Sequence, residues 1–134
     1  MRRNRAFTLI ELMLVLVILA ILAAVVIPKL SGRTEQARVT AAKTDIAAIG
    51  SALDTFEIDN GRYPTTDEFP AALTVAPSGM TNWHGPYVKK VIGNDPWGNP
   101  YQYRCPGTQS TAGYDLYSYG PDGRDGGGDD VTNW

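Results

Sequence analysis

Between Leu12 and Ile27 no side chain is polar, and Phe7 to Ile10 extend the apolar stretch to within one acidic residue of continuity. Together they reach the roughly 20 residues that cross a bilayer as helix. Residues 7–28 are therefore expected to be a transmembrane helix from which the rest of the chain hangs. Glu11 breaks the pattern. An ionisable group at the centre of such a helix costs about 2.5–3.5 kcal/mol, less near an end, so by default it marks a functional position. The plainer reading is a carboxylate that reaches the headgroups beside Arg5.

The flanks refine this. Arg2, Arg3 and Arg5 make residues 1–6 a basic leader, which holds the N-terminus in the cytoplasm and sends the rest of the chain outward. Lys29 and Arg33 weaken that asymmetry. A cleaved secretory signal is the rival reading, but the apolar run exceeds the usual 7–15 residues and no A-x-A pattern comes after it. Pro28 removes a helical hydrogen bond to Ala24 and clashes with that turn, so a kink is expected there without an end to the helix. Beyond it Val39, Ala42, Ile46, Ile49, Leu53 and Phe56 draw one apolar stripe at helical spacing. Asp59-Asn60-Gly61 is a stop signal. The expectation is one long helix from residue 7 to about residue 59, its first half in the membrane and its second half lying across a small head.

With 134 residues the chain is one domain by length. Setting the apolar stretch aside leaves roughly 100 residues, enough for one modest core. Thr66 is placed to cap a short helix over residues 67–75, with Asp67 and Glu68 in its first turn. Strands are expected over residues 87–92, 101–104 and 114–119, separated by turn chemistry. The fold class is therefore α+β: a long N-terminal helix packed on a small antiparallel sheet of about three strands.

Several chemistries are excluded. Cys105 is the sole cysteine and His84 the sole histidine, so neither an intrachain disulfide nor a Cys/His zinc site can form. HExxH, P-loop and GxGxxG spacings do not occur, and no enzyme is expected. No basic cluster interleaved with aromatics appears downstream, which argues against nucleic acid as a partner. Tyr119 to Asp130 place hard oxygen donors among glycines, which suits Ca²⁺. The spacing is not that of an EF-hand, and on the residues alone an acidic disordered tail is the favoured reading.

The leader, then Phe7-Thr8-Leu9-Ile10-Glu11 and an unbroken apolar helix, resembles the class III signal of type IV pilins and pseudopilins. That resemblance implies a prepilin peptidase cut between Ala6 and Phe7, N-methylation of Phe7, and retention of the apolar helix. The family usually has glycine before the cut, where this chain has Ala6. It also implies that Glu11 pairs with the amine of Phe7 on a neighbouring subunit, an attraction that is strong in low dielectric and penalises an unpaired partner.

Further on, DNGRYPTT, NDPWGNPYQY, YDLYSYGPDG and the closing DVTNW extend the likeness over the whole chain. They resemble the major pseudopilins of the type II secretion system more than fibre-forming pilins, which commonly close their C-terminal region with a disulfide. Phe69-Pro70 departs from the family, which usually has a glycine there and continues the short helix. The resemblance implies a pilin-like fold, with a cleaved leader at 1–6, a transmembrane and filament-core helix at 7–28 and a periplasmic domain at 29–134. It reverses the reading of the acidic loop, implying structural Ca²⁺ held by Asp122, Asp129 and the Tyr119 carbonyl, with Asp130 as an additional ligand. The implied protein is a single-pass inner-membrane subunit that polymerises with itself into a short periplasmic filament. That filament helps folded proteins cross the outer membrane, with minor pseudopilins and inner-membrane assembly components as partners. The alternatives are a type IV pilus subunit for adhesion or DNA uptake, and a membrane-anchored binding module that never assembles.

Overall fold

The computed structural model describes residues 7–134, apart from the side chains of residues 26–31. Ala6 and the leader lie outside the described residues, and the expected kink at Pro28 falls on side chains outside them. The chain divides into two compact units, Met1–Gln36 and Ala37–Trp134. Helix α1, Leu9–Asn60, contributes to both.

In the first unit the described side chains from residue 9 to residue 25 are all exposed. Leu, Ile, Val, Met and Ala point in every direction around the axis, so no face of this segment is polar except at Glu11. Among the described residues no helix is long and apolar enough to cross a membrane.

In the second unit the stripe read from the sequence is the buried one. Ala42, Ile46, Ile49, Leu53 and Phe56 are buried, Ala52 joins them, and Val39 is half-buried against the same cluster. Fully burying a side chain such as Leu53 or Phe56 contributes about 1.5–3 kcal/mol. The helix ends where its stop signal lies. Gly61 adopts φ +72° and donates its N–H to the Glu57 carbonyl at 2.7 Å, a left-handed cap that a Cβ would strain.

Three antiparallel strands cover the stripe: β1 (Gln102–Arg104), β2 (Asp115–Ser118) and β3 (Val131–Thr132), in that spatial order. Tyr103 pairs with Leu116, and Ser118 with Val131. Tyr101, Tyr103, Tyr114, Leu116 and Val131 meet the helix stripe in one core. Two phenols fasten this arrangement. Tyr101 donates to Asp45 of α1 at 2.8 Å and Tyr103 to the Pro64 carbonyl at 2.8 Å. Burial, and after it that bond to Asp45, pushes the Tyr101 hydroxyl well above its ordinary range.

Two local expectations are corrected. Residues 87–92 form no strand, and the third strand is Val131–Thr132. Tyr87 is committed elsewhere: its N–H donates to Leu73 O at 2.8 Å and its hydroxyl donates to Asp59 at 2.9 Å. That hydroxyl also accepts from His84 N at 3.0 Å, and its ring stands edge-on to Phe56 at 5.4 Å. A backbone N–H committed to Leu73 in this way is not presented to a strand edge.

The helix expected over residues 67–75 is only a 3-10 turn, Ala71–Leu73, with Pro70 at its N-cap. Thr66 does not cap it. Its hydroxyl accepts from Cys105 N at 3.1 Å, while Glu68 folds back onto Arg62 at 2.7 and 2.8 Å and onto Thr65 N at 2.8 Å. Arg62 above all, with Thr65 N, holds the Glu68 carboxyl down at about 2. Pro70 supplies no N–H to continue an α-helix from that turn.

Candidate functional site

The first turn of α1 is closed by its own side chains. Thr8 Oγ1 accepts from Glu11 N at 3.3 Å, and Glu11 Oε2 accepts from Thr8 N at 3.3 Å and from Thr8 Oγ1 at 3.4 Å. This is a capping box, in which each side chain satisfies an amide that the helix leaves without a partner. Thr8-x-x-Glu11 ahead of an apolar run is its sequence signal, and it stands in the chain beside the carboxylate's other reading. Phe7 precedes the cap and is 86 % exposed. Glu11 thus keeps its carboxylate at the helix end, close in sequence to Phe7, with Oε1 left for another donor.

The second candidate is the loop between β2 and β3. Gly120 opens it with φ +67°, and a Cβ there would collide with the Asp129 carbonyl, so the two ends of the loop touch. Each predicted carboxylate gives one oxygen to a backbone amide. Asp122 Oδ1 accepts from Arg124 N at 2.9 Å, Asp129 Oδ2 from Asp122 N at 3.3 Å, and Asp130 Oδ2 from Gly126 N at 2.9 Å. The other oxygens are turned differently. A Cβ built at Gly127 would lie 3.1 Å from Asp129 Oδ1 and 3.2 Å from Asp122 Oδ2. Asp130 Oδ1 is buried without a hydrogen-bond partner.

The structure therefore brings Asp122 and Asp129 together around a glycine and leaves an orphaned acceptor on Asp130. Tyr119 stands just before the loop, its ring 5.8 Å from that of Tyr117. Among the described residues no group of three or more His, Cys, Asp or Glu side chains is gathered as metal ligands. A hard cation also accepts backbone carbonyls among its six to eight oxygens, so it does not require such a group. The donor chemistry of this loop, two convergent carboxylates and an orphaned acceptor among glycines, fits such an ion.

Two further carboxylates escaped the sequence reading, because burial of an Asp runs against every pattern used to find a core. Asp115 sits in β2 and is 2 % exposed. Its oxygens accept from Thr108 N at 2.8 Å, Thr108 Oγ1 at 3.1 Å, Gln109 N at 3.0 Å and Ser110 N at 2.8 Å. Asp95 is 5 % exposed. Its Oδ1 accepts from Trp97 N at 3.1 Å and Asn99 N at 2.8 Å, and its Oδ2 accepts from Ser118 Oγ at 2.5 Å. The available signal was Asn94-Asp95-Pro96-Trp97-Gly98-Asn99, where an Asp folds the backbone after it.

Known proteins resemble this chain in sequence and fold. A family model described as "Type II secretion system (T2SS), protein G" matches residues 29–134, and one described as "Prokaryotic N-terminal methylation motif" matches residues 1–27. The chain is 49 % identical to the type II secretion system core protein G of Pseudomonas aeruginosa, over 99 % of this chain and 96 % of that one. It is 45 % identical to the core protein G of Vibrio cholerae, covering 100 % and 94 %. Among solved structures it resembles the crystal structure of the major pseudopilin from the type 2 secretion system of enterohaemorrhagic Escherichia coli. The TM-score is 0.67 at 36 % identity, covering 77 % of this chain and 87 % of that one.

Proposed function

Because this chain belongs to the protein G family of the type II secretion system and is a major pseudopilus subunit, we propose that it polymerises with its own copies into a short periplasmic filament that helps move folded proteins across the outer membrane. The observation that carries this reading is the exposed apolar helix: the described side chains from residue 9 to residue 25 are all exposed. A helix apolar on all sides has to be surrounded. Before assembly the surrounding is lipid, with the chain held in the inner membrane and its second unit in the periplasm. In the filament it is the helices of neighbouring copies, joined by minor pseudopilins and by inner-membrane assembly components. A type IV pilus subunit is the weaker reading, since the matching family model and relatives are of the secretion system. The role is structural rather than catalytic.

Processing precedes assembly in this reading. Prepilin peptidase cuts between Ala6 and Phe7 and methylates the new amine, and Glu11, held beside that end by Thr8, pairs with the amine of a neighbouring copy. Mass spectrometry of the protein from membranes should give an N-terminal methylated Phe7. An unprocessed Met1 start would overturn the processing step.

The loop after β2 is the proposed calcium site, with Asp122, Asp129 and the Tyr119 carbonyl as ligands and Asp130 as an additional one. Its support is the convergence of Asp122 and Asp129 on Gly127 and the orphaned Oδ1 of Asp130. A bound Ca²⁺ would neutralise carboxylates that otherwise repel, and would tie a glycine-rich segment that otherwise keeps its chain entropy. Calcium at a hundredfold excess over its dissociation constant stabilises by about 2.7 kcal/mol, several degrees in melting temperature for a domain of this size. Asp122→Ala and Asp129→Ala should each abolish most of that shift. A wild-type melting temperature indifferent to calcium and chelator would remove the metal from the proposal.

A further inference from the structure

The loop's geometry depends on a segment that supplies none of its expected ligands. Ser118 closes β2 with no exposed surface. Its hydroxyl donates to Asp95 Oδ2 at 2.5 Å and accepts from Gly120 N at 3.1 Å. Asp95 in turn is fixed by the amides of Trp97 and Asn99. The turn of residues 94–100 is itself clamped by the bridge between Asn94 and Pro100, and by Asp95 N donating to Asn99 O at 2.7 Å. At its far side Asn99 reaches the loop again, since a Cβ at Gly123 would lie 3.4 Å from Asn99 Nδ2.

The peptide joining Tyr119 to Gly120 carries both the Gly120 N–H and the Tyr119 carbonyl. In a planar trans peptide these two groups point in opposite directions. Holding the N–H on Ser118 Oγ therefore sets the direction of the Tyr119 carbonyl. The Asp95 carboxylate decides which way the serine hydroxyl serves: by taking its proton, it leaves the oxygen lone pairs to the Gly120 amide.

We propose that Asp95 and Ser118 are positioning residues for the metal loop: through Gly120 N–H they aim the Tyr119 carbonyl and hold the loop's first residue against the Asp129 carbonyl before any cation binds. This rests on the calcium reading of the loop. The turn at residues 94–100 then serves as the fixed wall of the site, and a cation meets a loop base already in place. Partners that orient ligands from outside the coordination sphere typically govern about 10- to 100-fold in metal affinity.

The test is calcium titration calorimetry on the full-length protein in detergent micelles, using wild type, Ser118→Ala, Asp95→Asn and, as a control remote from the loop, Glu68→Gln. Asp95→Asn is the sharper variant. Its amide oxygen can still fold the 94–100 turn, while its NH₂ faces Ser118 as a donor, so the serine hydroxyl loses the acceptor that keeps its own proton turned away from the Gly120 N–H. Both loop variants should bind calcium at least tenfold more weakly than wild type, and Glu68→Gln should bind like wild type. Melting in chelator separates positioning from general stability: a merely structural pair would lower that melting temperature and leave the affinity of the folded protein unchanged, which would overturn the proposal. Should Ser118→Ala not fold, Asp95→Asn alone decides the question, and wild-type affinity in it overturns the proposal. A wild type that takes up no calcium at all overturns the calcium reading itself, and the positioning role with it.

Discussion

Replacing Asp115 with alanine should cost this protein about 3 kcal/mol of stability, read as a lower urea midpoint with an unchanged slope. The carboxylate is 2 % exposed and takes the amides of Thr108, Gln109 and Ser110 together with the Thr108 hydroxyl. Alanine strips all of these donors of their acceptor at once. Gly107 packs against the same carboxylate, since a Cβ there would stand 2.8 Å from Asp115 Oδ1 and 2.6 Å from the Tyr114 backbone. A net folding stability of about 5–15 kcal/mol makes such a loss a large fraction of the whole.

The pH dependence gives the effect a signature. Burial is the largest single influence on the Asp115 carboxyl and pushes it up, but the bonds from Ser110, Thr108 and Gln109 together outweigh it and hold the group below its ordinary 3.8. A carboxyl depressed by folding stabilises above its unfolded pKa, and the contribution fades as pH falls through the folded value. The gap between wild type and Asp115→Ala should therefore be constant from neutral pH down to about 4 and should shrink below that. A gap of equal size at pH 2 and pH 7 would show that shape, and not the charged hydrogen bonds, is what alanine removes.

How far the sequence discloses this molecule depends on the range of the interaction involved. Helix α1 was legible because a stripe at three- and four-residue spacing and the Asn60-Gly61 end are local facts, and both lie where the spacing put them. The sheet was legible in number and only partly in place. Val131 and Thr132 are two residues long as a strand, too short for alternation to register. The longer strand candidate at 87–92 was preferred instead, yet Tyr87 is claimed by Asp59, Leu73 and Phe56, partners that lie far from it in sequence. The same holds for the loop. Its acidic residues were plain, but the closeness of Asp122 and Asp129 comes from Gly120 and Gly127 folding the chain back on itself. Asp95 and Asp115 were hidden because most of their partners are backbone amides, which no side-chain pattern records.

Changing Glu11 should abolish filaments, and the choice of replacement decides why. The local cap and the proposed intersubunit pairing make different demands on this residue. The capping box needs only an acceptor at the third helical position, which glutamine also supplies. Pairing with a protonated amine of another copy needs a charge. A charged amine left unpaired among apolar helices is penalised by about 3–5 kcal/mol, which is two to four powers of ten in an assembly equilibrium. Glu11→Gln should therefore keep the helix start and the fold of the second unit, and still lose at least 90 % of the filaments seen by negative-stain microscopy. Glu11→Ala should fail equally and lose the cap as well. Thr8→Ala sets the opposite condition, since it removes the hydroxyl that Glu11 N and Glu11 Oε2 share while the charge remains. The lost cap costs about 1 kcal/mol of helix stability, and filaments should persist at reduced yield. A Glu11→Gln variant with wild-type filament yield would show that Glu11 is a helix cap only, and the amine at Phe7 would then need a different partner.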